Sequence, residues 1–154
     1  MIHYNFVHRL YYTPRKLFLM NSISSPNCQL CTPNTIGTFI HMVWGCPGVQ
    51  SFWTMVTNKL SEVLGSSIPC SPTILLLKDI TGLDLSIMHQ RWFLIGLTAA
   101  KKLIAQRWKA PHDLSYQHWY NTVIDLAKLE RSVASMHGAN TRNISLWTSF
   151  IEKT

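Results

Sequence analysis

Residues 28–65 read CQLCTPNTIGTFIHMVWGCPGVQSFWTMVTNKLSEVLG, and two patterns meet in them. One is Cys28-x2-Cys31-x9-His41-x4-Cys46. The other starts at Pro47. Val49, Phe52, Trp53, Val56, Leu60, Val63 and Leu64 return at helical spacing and form a single apolar stripe. Proline is tolerated at the first helical position, where its missing N–H has no partner to lose. Gly65 suits the left-handed residue that ends a helix. The stretch predicts a metal loop that runs straight into a packed helix, in a mainly α protein.

Outward from this segment the helical signal continues. Toward the N-terminus, Thr13-Pro14 reads as a cap followed by a short helix to about Met20, with another helix from Tyr4 to Leu10 before it. Asn21 to Gly37 is rich in Ser, Pro, Asn and Gly, and reads as loop. Thr38 to Trp44 is expected to form one or two helical turns, closed by Gly45. Beyond the stripe, Thr73 to Lys78 reads as a buried helical turn. Ser86 to Lys109 reads as a long helix stopped by Pro111. Trp92, Phe93, Gly96, Leu97, Ala99, Ala100, Leu103 and Ile104 cover one side of it, and Arg91, Thr98, Lys102, Ala105 and Lys109 the other. Ser115 to Ala134 is a further helix with Trp119, Val123, Leu126 and Ala127 inward. Gly138 breaks it, and Asn143 to Ile151 carries Ile144, Trp147 and Phe150 in a final helix. The expected organisation is a small zinc-stabilised loop/helix lobe (1–65), a linker (66–72) and a helical bundle lobe with a basic helix (73–154).

Cys28, Cys31, His41 and Cys46 carry the chemistry. Zinc takes four ligands in a tetrahedron and prefers thiolate sulfur and imidazole nitrogen. Pro26-Asn27 and Pro33-Asn34 are turn residues that let a Cys-x2-Cys pair aim two sulfurs at one ion. No carboxylate lies nearby to act as a base, and four good ligands leave no position for a substrate water, so the expected ion is structural. The alternative is that these residues pack as small buried groups without a metal. Cys70 stands apart as a spare thiol, and His3 and His8 read as ordinary histidines.

The chain of 154 residues is 47% hydrophobic and carries a formal net charge of +7, which favours a polyanionic partner. Arg9, Arg15 and Lys16 precede the metal loop. Arg91, Lys102 and Lys109 line the long helix, with Lys101 and Arg107 nearby. Such cations neutralise phosphates and say little about sequence. Trp44, Tyr11, Tyr12 and Trp108 are candidate stacking rings. The seven acidic residues are scattered, and no Tyr-x-Asp-Asp motif is present, so two-metal polymerase or nuclease chemistry has no evident site. No signal peptide and no membrane span are expected, which points to the nucleus or cytoplasm.

The Cys/His order resembles the zinc-binding region at the end of non-LTR (LINE-type) reverse transcriptases. A Thr13-Pro14-Arg15-Lys16 helix precedes it and a Pro47-started aromatic helix follows it, as in those proteins. The opening Ile2-His3-Tyr4-Asn5-Phe6-Val7-His8-Arg9-Leu10-Tyr11 and the later Leu97-Thr98-Ala99-Ala100-Lys101-Lys102-Leu103-Ile104-Ala105-Gln106-Arg107-Trp108-Lys109 look like segments of such tails in fish elements. The resemblance implies a non-catalytic tail, or a fragment of one, that holds template RNA or target DNA. It also implies Cys28, Cys31, His41 and Cys46 as the ligands of Zn2+, and the polymerase domain of the same or a parent polypeptide as a partner. The x9 gap departs from the shorter retroviral nucleocapsid knuckle, so knuckle-style base recognition does not carry over. Three other readings stay open: a helical module that only docks on the polymerase domain, a hydrolase using a Cys with His41, and a decayed element fragment.

Overall fold

The computed structural model describes residues 1–31, 35–110, 112–136 and 152. Among these the chain is mainly helical, with an isolated antiparallel bridge between Asn27 and Ile36 in place of any strand. The helices are α1 (Ile2–Val7), α2 (Pro14–Leu19), α3 (Pro47–Leu64), α4 (Pro72–Leu77), α5 (Ile87–Lys109) and α6 (Tyr116–Met136). A wide turn, His41–Gly45, lies between α2 and α3. The final helix read from Asn143 to Ile151, and the break at Gly138, lie outside the described residues.

The ends of these helices follow from their sequence. The Thr13 hydroxyl accepts the Lys16 N–H at 3.3 Å and caps α2. Ser86 does the same for α5 by accepting the His89 N–H at 3.2 Å. Gly65 closes α3 with φ of 65°, which a side chain would strain.

Helix α5 is the centre of the molecule. Every residue of the α3 stripe is buried, and α3 runs antiparallel to α5: Leu60 meets Gly96 and Gly48 meets Arg107. On another side the fully buried Trp119 of α6 donates its indole N–H to the Gly96 carbonyl at 3.0 Å. Helices α1 and α4 and the wide turn close over the rest. Helix α5 keeps the open side expected from periodicity, with Arg91 and Gln106 exposed and Leu94, Thr98 and Lys102 half-buried, but the rest of its middle is more enclosed than expected. Ala105, placed on the open side, is 9% exposed, and Lys101 is 0% exposed. One apolar core also runs across residues 66–72. Ile68 is buried within it, and α3 packs directly on α5.

The loop before the wide turn is tied to α2 at Gly37. Its N–H donates to the Pro26 carbonyl at 2.8 Å, and its carbonyl accepts the Arg15 N–H at 3.2 Å. A Cβ on Gly37 would stand 2.7 Å from Cγ of the Pro14 ring, which cannot swing aside. Gly37→Ala is therefore expected to cost about 1–3 kcal/mol, read as a lower urea midpoint. An unchanged midpoint would mean that the loop does not rest on α2.

Candidate metal centre

Two pieces of chain bring four ligands together. Cys28 and Cys31 come from the loop. The Leu30 N–H points at Cys28 Sγ (3.4 Å), and the Cys28 N–H donates to the Thr35 carbonyl at 2.8 Å. His41 and Cys46 come from the wide turn. In an α-helix residues five apart point about 140° away from each other. Here the Cys46 N–H bonds the His41 carbonyl at 2.8 Å, an i+5 bond that widens the turn and returns Cys46 toward the side of His41. The Thr38 hydroxyl starts this turn by accepting the His41 N–H at 3.2 Å. The Trp53 indole braces it from α3 by donating to the Val43 carbonyl at 2.9 Å.

The four ligand atoms lie within 4.8 Å of one another, and Cys31 Sγ is 3.4 Å from His41 Nε2. Cys28, His41 and Cys46 are buried and Cys31 is half-buried. Burial, then the neighbouring Cys28 and Cys46, pushes the Cys31 thiol up to about 11. Burial holds His41 below its ordinary range, so the imidazole is neutral at neutral pH and offers a lone pair. A cation would reverse the cost of ionising the thiols, because the ligands of such sites bind as thiolates. In donor type, number and spacing the four residues fit a metal ion. A tetrahedron with metal–sulfur bonds of about 2.3 Å has edges of roughly 3.7 Å, which lies inside the 4.8 Å that bounds the four atoms.

The cations read from the sequence separate into groups. Arg9, Arg15, Lys16 and Arg91 are exposed and Lys102 is half-buried. Lys16 Nζ stands 4.9 Å above the exposed Tyr12 ring. The Lys109 side chain lies outside the described residues. Lys101 does not reach the surface, which corrects its place among the phosphate-binding candidates. It faces α1 and α4, donating to the Leu76 carbonyl at 2.6 Å and lying 3.0 Å from His3 Nδ1. Arg107 is half-buried, with Nη1 enclosed. Of the stacking candidates, Tyr11 and Trp108 pack edge-to-face at 5.3 Å within the core margin, and Trp44 leans on Trp53. Tyr12 alone of the four is exposed. The bonds of Thr38 and Trp53 were missed at the sequence level; a Thr three residues before His41 was the cap signal for the first of them.

Burial, and then the nearby Lys78, lowers the Lys101 amine to about 7. Unfolded, the amine keeps its proton to about 10.5. Between those values the unfolded chain binds the extra proton. Stability from this group is thus full above about 10.5 and is lost as the pH falls through about 7. Lys101→Met is expected to flatten the rise in urea midpoint between pH 7 and pH 9 (roughly the lower part of that window). Parallel curves for wild type and variant would refute this.

Compared with known protein families, curated proteins and solved structures, the chain matches none. Fold and site together define it as a helical protein with a Cys3His cluster able to hold a metal ion. No helix among the described residues is long and apolar enough to cross a membrane.

Proposed function

We propose that the chain is a non-catalytic nucleic-acid-binding module built around a zinc ion, the C-terminal zinc-binding region of a LINE-type reverse transcriptase. The observation that carries this is the convergence of Cys28, Cys31, His41 and Cys46 from two separate pieces of chain. Three sulfurs and one imidazole drawn together favour zinc over the hard cations. Four protein ligands make the site structural. Its role is to fix the loop against α2, whose exposed Lys16 stands over the exposed Tyr12 ring and whose Arg15 is also exposed. Two cations and an aromatic face together suit phosphates and an unpaired base of RNA or DNA. Arg9 and Arg91 are further exposed cations and Lys102 is half-buried, and the net charge of +7 adds long-range attraction.

The test is retention of single-stranded RNA and DNA by the zinc-loaded protein across a salt series. Log affinity should fall linearly with log salt, and Arg15→Ala/Lys16→Ala should reduce the slope by roughly two. No retention above low salt would remove the nucleic-acid role.

A second reading, a module that docks on the polymerase domain, is favoured by one surface. Leu94 of α5 with Leu126, Leu129 and Val133 of α6 line a groove of about 720 Å³ between the two helices. Leu129 is 60% exposed and Val133 46%. If RNA retention fails, this face becomes the leading functional surface.

A further inference from the structure

Helix α6 carries two apolar faces. Trp119, Val123 and Ala127 are buried in the core. Leu126, Leu129, Val133 and Met136 recur at i, i+3, i+7 and i+10 and form a second stripe on another side. Leu126 is half-buried, Leu129 and Val133 are exposed, and Met136 is 85% exposed. The first three, with Leu94 and Thr98 of α5, line the groove of about 720 Å³. A continuous apolar surface of this kind marks a face that something covers.

The chain beyond Met136 has the pattern of that occupant. In residues 143–151, NISLWTSFI, the side chains of Ile144, Trp147, Phe150 and Ile151 fall on one side at helical spacing, and Ser145, Thr148 and Ser149 on the other. Glu152 continues the polar side, and it is helical and exposed. Six residues, His137 to Arg142, join α6 to this segment. Connections between neighbouring helices of a bundle run to about 2–8 residues. Gly138 and Asn140 suit the left-handed conformations that a reversal of the chain needs. A helix turned back along α6 would lay the roughly 10 Å from Ile144 to Ile151 over the roughly 15 Å from Leu126 to Met136. A segment tethered this closely is present at an effective concentration of about millimolar, far above that of a free partner.

We propose that residues 143–151 dock as an amphipathic helix in the groove between α5 and α6, with Trp147 and Phe150 seated on Leu129 and Val133. The face is then capped by the chain itself, and a polymerase domain reaches it only by displacing this segment. Docking is independent of the metal and of the cations of α2.

The experiment follows amide hydrogen exchange of the full chain by mass spectrometry, with molar mass by light scattering at the same concentration. Wild type, Leu129→Asp/Val133→Asp and Trp147→Asp are compared. Wild type is expected to be a monomer in which residues 143–151 are protected. In Leu129→Asp/Val133→Asp their exchange should be at least roughly 10-fold faster, with α5 unchanged. Trp147→Asp should in turn speed exchange across residues 126–136. Exchange of residues 143–151 at the rate of an unfolded chain in wild type would overturn the proposal and leave the groove to another partner. So would protection that survives Leu129→Asp/Val133→Asp. A wild-type dimer that this variant converts to monomer would assign the face to a second copy and overturn the proposal as well. If Leu129→Asp/Val133→Asp does not fold, Trp147→Asp decides: faster exchange of 126–136 supports the docking, and unchanged exchange overturns it.

Discussion

Cys28→Ser/Cys31→Ser is expected to unfold the loop and α2 while α1, α3, α5 and α6 stay packed. From His8 to Ile40 the described residues bury only Thr13, Cys28 and Gly37. Helix α2 is six residues long and has no buried residue. Helices this short do not stand alone in water. On the proposed metal reading little besides the ion holds this segment, and a structural zinc contributes on the order of 10 kcal/mol of apparent folding energy. By contrast, α5 and its two large partners share Trp53, Trp92, Phe93 and Trp119, all essentially buried. The variant, or the wild type treated with chelator, should lose part of its far-UV signal. Limited proteolysis should then cut within residues 8–40 and spare α3, α5 and α6. An unchanged cleavage pattern would show that the loop is held by something else.

Trp53→Ala is expected to cost about 3–5 kcal/mol from the cavity and lost burial. Trp53 is 0% exposed, and its N–H satisfies the Val43 carbonyl at 2.9 Å inside the wide turn. Removing the indole leaves that carbonyl without its partner, beside both His41 and Cys46. The damage should therefore reach the metal centre, with weaker zinc binding as well as a lower urea midpoint. Trp53→Phe separates the two effects. It keeps most of the volume and loses the hydrogen bond, and should cost roughly 1–3 kcal/mol. A Trp53→Ala variant with wild-type zinc affinity would mean that the brace does not position the ligands.

Much of this was legible in the sequence, for identifiable reasons. Helix α3 was read with both ends correct, because its stripe is long and is bounded by Pro47 and Gly65. The Cys3His cluster could be read because three Cys and one His at these spacings match the donors that one tetrahedral ion takes. The wide turn could not be read, because an i+5 hydrogen bond leaves no periodic trace in five residues. Lys101 misled for a different reason. Charge normally marks a solvent face, and nothing local reveals that α1 and α4 close over that position. Arg107 follows Gly96, Ala100 and Leu103 at helical spacing, but its approach to Gly48 is a tertiary feature. The basic surface was read as a set of residues. Which of them stay exposed was decided by packing around α5.

The most direct test of the central claim is the metal content of the purified, reduced chain by elemental mass spectrometry. One zinc per chain is expected in wild type and none in Cys28→Ser/Cys31→Ser. A folded wild type without metal, or a variant that keeps its zinc, would contradict the account.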